Sequence, residues 1–103
     1  MRRGITSTIR FTLPSEILIT DLIDARITIK QRNQVCADHA LIDLEADLEE
    51  NALQLQLSQE ETLHLTSQCN AEIQLKVKLR GGAVLATPIY YAKVSEILNE
   101  EVI

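Results

Sequence analysis

The sequence predicts an all-β protein, an antiparallel β-sandwich of about six or seven strands with one or two short helical turns. In several segments apolar and polar residues alternate one by one, which is the period of a strand with one buried face. Turn residues separate these segments at intervals of about ten residues, and the long helices that parallel β-α-β units would require are missing. No linker-like stretch interrupts the 103 residues, so residues 1–103 are expected to form a single domain.

The first predicted strand runs from Ile5 to Leu13. One face carries Ile5, Ser7, Ile9, Phe11 and Leu13, and the other carries Thr6, Thr8, Arg10 and Thr12. This alternation is typical of a half-buried strand. Pro14 ends the strand because proline cannot donate a hydrogen bond to the ladder.

A hairpin is predicted next. Ala25, Ile27 and Ile29 alternate with polar residues, and the polar segment 31–34 (QRNQ) predicts a turn. The partner strand is expected from Val35 to about Leu44.

The stretch that follows permits two interpretations. Leu41, Leu44, Leu48 and Ala52 fit helical spacing at least as well as strand spacing, and acidic, Leu-rich sequence has good helix propensity. We interpret it as strand and then loop, with a helix as the alternative. Residues 53–57 (LQLQL) alternate again and predict another strand.

The longest predicted strand covers Ile73 to Leu79, with apolar residues at every second position. The segment 80–82 (RGG) predicts a tight turn, since glycine readily adopts positive φ angles. The expected partner strand runs from Ala83 to Val94. Pro88 lies within it and predicts a bulge or a position at the sheet edge.

Two segments predict short helices. Ser58 followed by Glu61 fits a capping box, which predicts about two turns over Gln59 to Leu65. Near the end of the chain, a helical face is formed by Val94, Ile97, Leu98 and Val102. Many short strands with frequent turns and little helix are typical of an immunoglobulin-like sandwich.

Composition argues against several kinds of partner. The net charge of −5 repels phosphate backbones, and three aromatic residues offer few stacking platforms, so nucleic acid is not expected. No apolar run could span a bilayer, and the segment after Met1 lacks the apolar stretch of a secretory signal. We therefore expect a cytoplasmic protein without a membrane partner, in which Cys36 and Cys69 are reduced and mostly buried.

The motifs of common catalytic sites are missing. With three glycines and two histidines, the sequence contains neither a Gly-rich phosphate loop nor the metalloprotease and nucleophile-elbow motifs. We expect no enzyme, no catalytic residue and no cofactor. The pair Cys36 and His39, with His64 and Cys69, resembles a zinc site in composition alone. A spacing of three along a strand places the first two on opposite faces, so no metal is expected.

Nearly the whole chain resembles small proteins encoded in phages and prophages of Gram-positive gut bacteria. The similar segments are MRRG, STIRFTLP, LQLSQEETLHL, AEIQLKVKLRGGAVLAT and VSEILNEEVI. In strand pattern the chain is also similar to the N-terminal β-sandwich domain of phage baseplate upper proteins. The resemblance implies a tail- or baseplate-associated structural or assembly protein, present in the bacterial cytoplasm or incorporated into the virion. Its partners would be further copies of itself, as a homo-oligomer, and other phage proteins.

Such a protein acts through contacts, and the sequence offers candidates for them. The predicted contact residues are Arg10, Lys76, Lys78, Ile97, Leu98, Val102 and Ile103. The N-terminal strand offers an edge for strand addition. For the strand and the C-terminal apolar residues, packing on the protein's own sandwich is the alternative. For the strand cations, the favoured interpretation is an ordinary solvated face rather than a docking face for an acidic partner.

Two other functions stay open. The acidic charge is compatible with a regulatory protein that binds a host protein. A carbohydrate-binding module would use exposed aromatic rings beside polar groups. Because Tyr90 and Tyr91 are adjacent, alternation predicts that one ring turns inward and only one is exposed.

Overall fold

The computed structural model describes residues 1, 3–67 and 69–95, and these form two antiparallel sheets around a shared apolar core. The strands are β1 Ser7–Thr12, β2 Leu22–Gln31, β3 Gln34–Ala40, β4 Glu45–Asp47, β5 Ala52–Leu57, β6 Ala71–Leu79, β7 Val84–Ala86 and β8 Tyr90–Ala92. One α-helix, α1 Gln59–Leu63, and two 3-10 turns, Ile19–Asp21 and Leu41–Asp43, complete the described elements. The predicted all-β sandwich is confirmed, with eight described strands instead of six or seven.

The smaller sheet has the strand order β1-β5-β4. The larger sheet has the order β3-β2-β6, and both β7 and β8 pair with the far side of β6. Some strands therefore pair with strands that are distant in sequence. β1 pairs with β5, and β2 pairs with β6 as well as with β3.

The alternation predicted for β1 is observed over most of its length. Phe11 and Leu13 are buried, whereas Thr8, Arg10 and Thr12 are exposed. Ile5 is the exception, because it precedes the strand and is 40% exposed. The buried face of β1 therefore begins later than the sequence pattern predicts.

The predicted β2–β3 hairpin is confirmed, and its turn contains no glycine. Gln31 pairs with Gln34, so the loop consists of Arg32 and Asn33, with φ angles of 50° and 64°. Two consecutive left-handed residues are what a type I′ hairpin turn requires. Asparagine tolerates this conformation better than arginine does.

The ambiguous stretch is not a helix. β3 ends at Ala40, the 3-10 turn Leu41–Asp43 follows, and a short strand, β4, forms where a loop was predicted. This segment carries the chain from the edge of the larger sheet to the edge of the smaller one. It thereby closes one side of the sandwich.

The predicted partner of β6 is divided at Pro88. β7 pairs with Lys76 to Lys78, and β8 pairs with Ala71 to Ile73. The interruption and the edge position both agree with the two effects predicted for proline.

The core is built from the inward faces of both sheets. Ile27 and Leu75 of the larger sheet and Leu53 and Leu57 of the smaller one are at most 1% exposed. They belong to one cluster of buried side chains. The two sheets therefore share one apolar interior.

The capping box is confirmed. The Ser58 hydroxyl accepts a hydrogen bond from the amide of Glu61, and the Glu61 carboxylate accepts one from the amide of Ser58. The helix ends at Leu63, two residues earlier than predicted. Val94 is buried, while the rest of the predicted C-terminal helix lies outside the described residues.

Candidate interaction surface

An apolar cleft lies between the two sheets on the side opposite the β3–β4 connection. One wall comes from β1 and the residues after it, and the other comes from β6, β7 and the break at Pro88. The lining residues are Phe11, Thr12, Leu13, Pro14, Ile17, Leu75, Val77, Leu85, Ala86, Thr87, Pro88 and Tyr90. None of these side chains is charged, and the volume is about 480 Å³. We refer to this feature as the seam cleft.

The hydroxyl of Thr87, one of the polar groups in the seam cleft, is already engaged within the protein. The Thr87 hydroxyl donates to the carbonyl of Pro88 and accepts from the amide of Leu75. The cleft therefore presents mainly hydrocarbon to whatever enters it. Exposed side chains at its mouth include Leu85 and Tyr90, which are 42% and 52% exposed.

The outer edge of β1 borders the seam cleft. Among the described strands, only β5 pairs with β1. The amide of Leu13 donates to the carbonyl of Asn51, so Leu13 directs its N–H toward the β5 side. In an antiparallel ladder, alternate residues point their N–H and C=O groups to the same side. Thr8, Arg10 and Thr12 therefore direct their backbone groups away from β5, toward the free edge.

The walls of the cleft touch at one end through two aromatic rings. The ring centroids of Phe11 and Tyr90 are 5.8 Å apart, with an angle of 54° between the ring planes. This contact joins β1 to β8 and limits the cleft on the side of Ile9 and Ile73.

The expectation that only one of the two tyrosines is exposed is wrong. Tyr90 is 52% exposed and Tyr91 is 66% exposed. Tyr90 does turn toward the space between the sheets, but the open seam leaves it in contact with solvent. Tyr91 lies opposite Glu72 on the outer face of the larger sheet. The two rings therefore face different sides and do not form one platform.

The structure separates the predicted contact residues. Arg10 lies on the outer face of the smaller sheet, where its guanidinium binds Asp47 at 2.9 Å and Gln54 at 3.1 Å. Lys76 and Lys78 lie on the outer face of the larger sheet. Ile97, Leu98, Val102 and Ile103 lie outside the described residues. The described members of the set thus do not form a single surface.

The cations of the larger sheet are mixed with carboxylates. Arg26 binds Asp38 at 3.3 Å, Lys30 lies opposite Glu72, and Lys78 lies opposite Asp24. Such pairs between exposed side chains contribute little energy. This arrangement is that of an ordinary solvated face and favours the interpretation preferred from the sequence.

One cluster of titratable groups connects β3 to α1. His39 Nε2 lies 2.5 Å from a Glu61 oxygen, and Nδ1 lies 3.2 Å from an Asp43 oxygen. Partial burial opposes the charge on the ring, but the two carboxylates outweigh it and raise the pKa of His39. Burial likewise opposes the charge on Glu61, yet His39 and the Ser58 amide lower its pKa. With carboxylates on both ring nitrogens, neither nitrogen is available to activate a nucleophile.

The cysteines do not converge with the histidines. Cys36 and Cys69 are free and half-buried, less buried than predicted. The Cys36 thiol lies 3.6 Å from the carbonyl of Gln34 and 3.9 Å from the Gln31 side-chain oxygen. In the described part of the chain, no three His, Cys, Asp or Glu side chains are grouped as ligands for a metal ion. Nor does that part contain a helix long and apolar enough to cross a membrane.

Comparisons with protein families and with curated proteins give no relative on which to base a function. The chain matches no protein-family model, and no curated protein is significantly similar to it. The function is therefore inferred from the seam cleft, the free edge of β1 and the sequence itself.

Proposed function

We propose that this protein is a structural or assembly component of a phage or prophage, associated with the tail or baseplate, and that it acts through protein–protein contacts. The observation that carries the contact role is the seam cleft beside the free edge of β1. The phage assignment is supported by the sequence resemblance alone. In this role the protein is made in the bacterial cytoplasm and joins the particle or its assembly intermediates.

The seam suits a protein partner better than a small polar ligand. Its walls are uncharged and apolar, and its threonine hydroxyl at position 87 is already hydrogen-bonded. The backbone groups of Thr8, Arg10 and Thr12 beside it can form a ladder with an added strand. Strand addition uses both features, since the backbone supplies hydrogen bonds and the cleft receives alternate side chains.

The alternatives receive less support from the geometry. A carbohydrate site would require convergent rings and free polar groups, but Tyr90 and Tyr91 face different sides of the sheet. A regulator that binds a host protein would use the same seam. The experiment below distinguishes this regulatory function from the structural or assembly function.

The test is quantitative mass spectrometry on particles purified from an induced lysogen that carries this gene, with a known tail protein as the internal standard. Presence at a fixed ratio to the tail protein is expected for a structural component. The Thr12→Pro variant, which blocks the free edge, should be depleted from the particles. Its matched control is Ala46→Pro, at the free edge of β4.

Absence from particles, with the protein abundant in the lysate, would contradict a place in the virion. A pull-down from the same lysate then distinguishes the remaining functions. Phage tail proteins in the eluate would indicate an assembly factor, and one stoichiometric host protein would indicate a host-directed regulator.

A further inference from the structure

We propose that the seam binds a second copy of this chain, through antiparallel pairing of the two β1 strands about a two-fold axis at Phe11. This inference rests on the proposed contact function and names the partner for it. The two three-stranded sheets would join into one six-stranded sheet. Each seam cleft would then be covered by the other protomer.

The first argument is the pattern that the free edge requires of an added strand. Side chains on one face of that strand lie beside the mouth of the seam cleft, and those on the other face join the polar row of Thr8, Arg10 and Thr12. The strand must therefore alternate between apolar and polar residues. β1 and its flanking residues have this pattern, so a second copy supplies the strand that the edge needs.

The second argument concerns register. With the axis at Phe11, the inward pairs are Phe11 with the partner subunit's Phe11 and Ile9 with the partner subunit's Leu13, and both are apolar. The residues that direct backbone groups to the free edge, Arg10 and Thr12, then face each other across the axis. This placement satisfies the hydrogen-bond pattern of an antiparallel pair.

Two registers shifted toward the start of β1 are less favourable. An axis at Arg10 would place two arginines directly opposite each other, which is destabilising across a strand pair. An axis at Ile9 would oppose Ser7 to the partner subunit's Phe11 and would place Leu13 opposite the partner subunit's Ile5, which precedes the strand. The register centred on Phe11 avoids both.

The third argument is charge. A chain with a net charge of −5 is repelled by its own copy over most of its surface. The seam is an exception, since the residues that line it carry no charge and Arg10 beside it is paired with Asp47. Two copies can therefore approach through this face without bringing like charges together.

The test is sedimentation velocity over a concentration series from about 1 to 100 µM, a range typical of weak protein association. The expected result is a rise in mass from 11.6 kDa toward twice that value. Thr12→Pro should weaken dimerisation on the order of 30-fold, because it removes one ladder hydrogen bond from each copy.

Ala46→Pro is the matched control. β5 directs the backbone groups of Ala52 and Gln54 toward β4, so their partners Asp47 and Glu45 point to β5 and Ala46 points to solvent. Both prolines thus replace an edge residue whose N–H points away from its own sheet. Circular dichroism and thermal unfolding establish that both variants fold, and Ala46→Pro should dimerise like the unchanged protein.

The outcomes separate the two proposals. A monomer at every concentration overturns the two-copy pairing, as does a dimer that both prolines weaken equally or neither weakens. A different result is a protein that is a monomer at every concentration and is still found in particles, with Thr12→Pro reducing its amount there. In that case the free edge of β1 pairs with a strand of another particle protein. A dimer sensitive to Thr12→Pro but absent from particles would support the pairing and contradict the virion role.

Discussion

The hydrogen bonds that His39 forms depend on its protonation state. Carboxylate oxygens only accept hydrogen bonds, so both ring nitrogens donate at once only when the imidazole is charged. A neutral ring keeps one of the two contacts and leaves a nitrogen lone pair facing the other carboxylate. Because Glu61 also caps α1, the charge on His39 affects β3 and the helix together.

The first prediction is a pH-dependent contribution of His39 to stability. Its pKa is raised, so its contribution is complete below pH 6.5 and disappears as the pH rises through the folded-state value. The pKa of Glu61 is lowered, so its contribution is complete above pH 4.5 and disappears as the pH falls. His39→Gln should therefore lower the free energy of unfolding by about 1–2 kcal/mol near pH 5.5 and by less at pH 8.5.

Urea denaturation at several pH values measures this difference. The control is His64→Gln, at an exposed ring. If His39→Gln lowers the free energy of unfolding by the same amount at both pH values, the result would contradict a charged contact.

Asn51 is a second residue that connects separate segments of the chain through its hydrogen bonds. Its side-chain amide donates to the carbonyls of Leu13, Pro14 and Ile17, and its oxygen accepts from the amide of Ile19. One side chain thereby binds backbone groups of four residues in the β1–β2 connection. Its φ of 51° is also a conformation that asparagine tolerates and most residues do not.

The second prediction is that Asn51→Ala lowers the free energy of unfolding by about 2–4 kcal/mol, since it removes the side-chain hydrogen bonds to these backbone groups. Asn51→Gly should also be destabilising, but by less, because glycine removes the backbone strain. Chemical denaturation of both variants provides the comparison. Equal stability of Asn51→Ala and the unchanged protein would show that the contacts contribute nothing.

At the scale of elements, strands with one buried face could be predicted from the sequence. In β1 and β6 apolar residues alternate with polar ones, and side chains along a strand point alternately to its two faces. Every second residue is therefore buried or half-buried. The segment 41–52 could not be predicted in this way, because its residues cross from one sheet to the other and are buried on no constant face. The Ser58–Glu61 cap was predictable because both of its hydrogen bonds are local.

The third prediction concerns the β2–β3 turn. Arg32 and Asn33 both have positive φ, which costs roughly 1–2 kcal/mol for an ordinary residue such as arginine. The double substitution Arg32→Asn with Asn33→Gly places the preferred type I′ pair there. It should raise the free energy of unfolding by about 1 kcal/mol.

Thermal and urea unfolding test this increase. The control is Gln34→Gly, in the adjoining strand, which should be destabilising because glycine weakens a strand. A double variant less stable than the parent would contradict the turn type.

At the scale of the whole molecule, the core could be predicted but the seam cleft could not. Leu53, Leu55 and Leu57 are buried as their pattern predicts. The cleft depends on which strands become edges, and this is decided by pairings between distant segments such as β1 with β5. The alternation of apolar and polar residues indicates which face of a strand is buried. It does not indicate which strands lie at the edge of a sheet. Tyr90 is exposed for the same reason, since its surroundings depend on the open side of the sandwich.

The fourth prediction contrasts the shared core with the surface. Leu53→Ala removes a fully buried side chain and should lower the free energy of unfolding by about 2–5 kcal/mol. Leu48→Ala, at a side chain that is 67% exposed, should change it by less than about 0.5 kcal/mol. Urea denaturation of the two variants measures both, and similar losses would indicate that Leu53 is not in a packed core.

The pairing of β1 with β5 has a consequence for the protein during its synthesis on the ribosome. Thr12 and its partner Ala52 are about 40 residues apart in the chain. A ribosome that adds about 5–20 residues per second needs roughly 2–8 s to make the intervening segment. The N-terminal strand therefore leaves the exit tunnel about that long before its partner, and in the interval its apolar side is accessible to chaperones, proteases and other nascent chains.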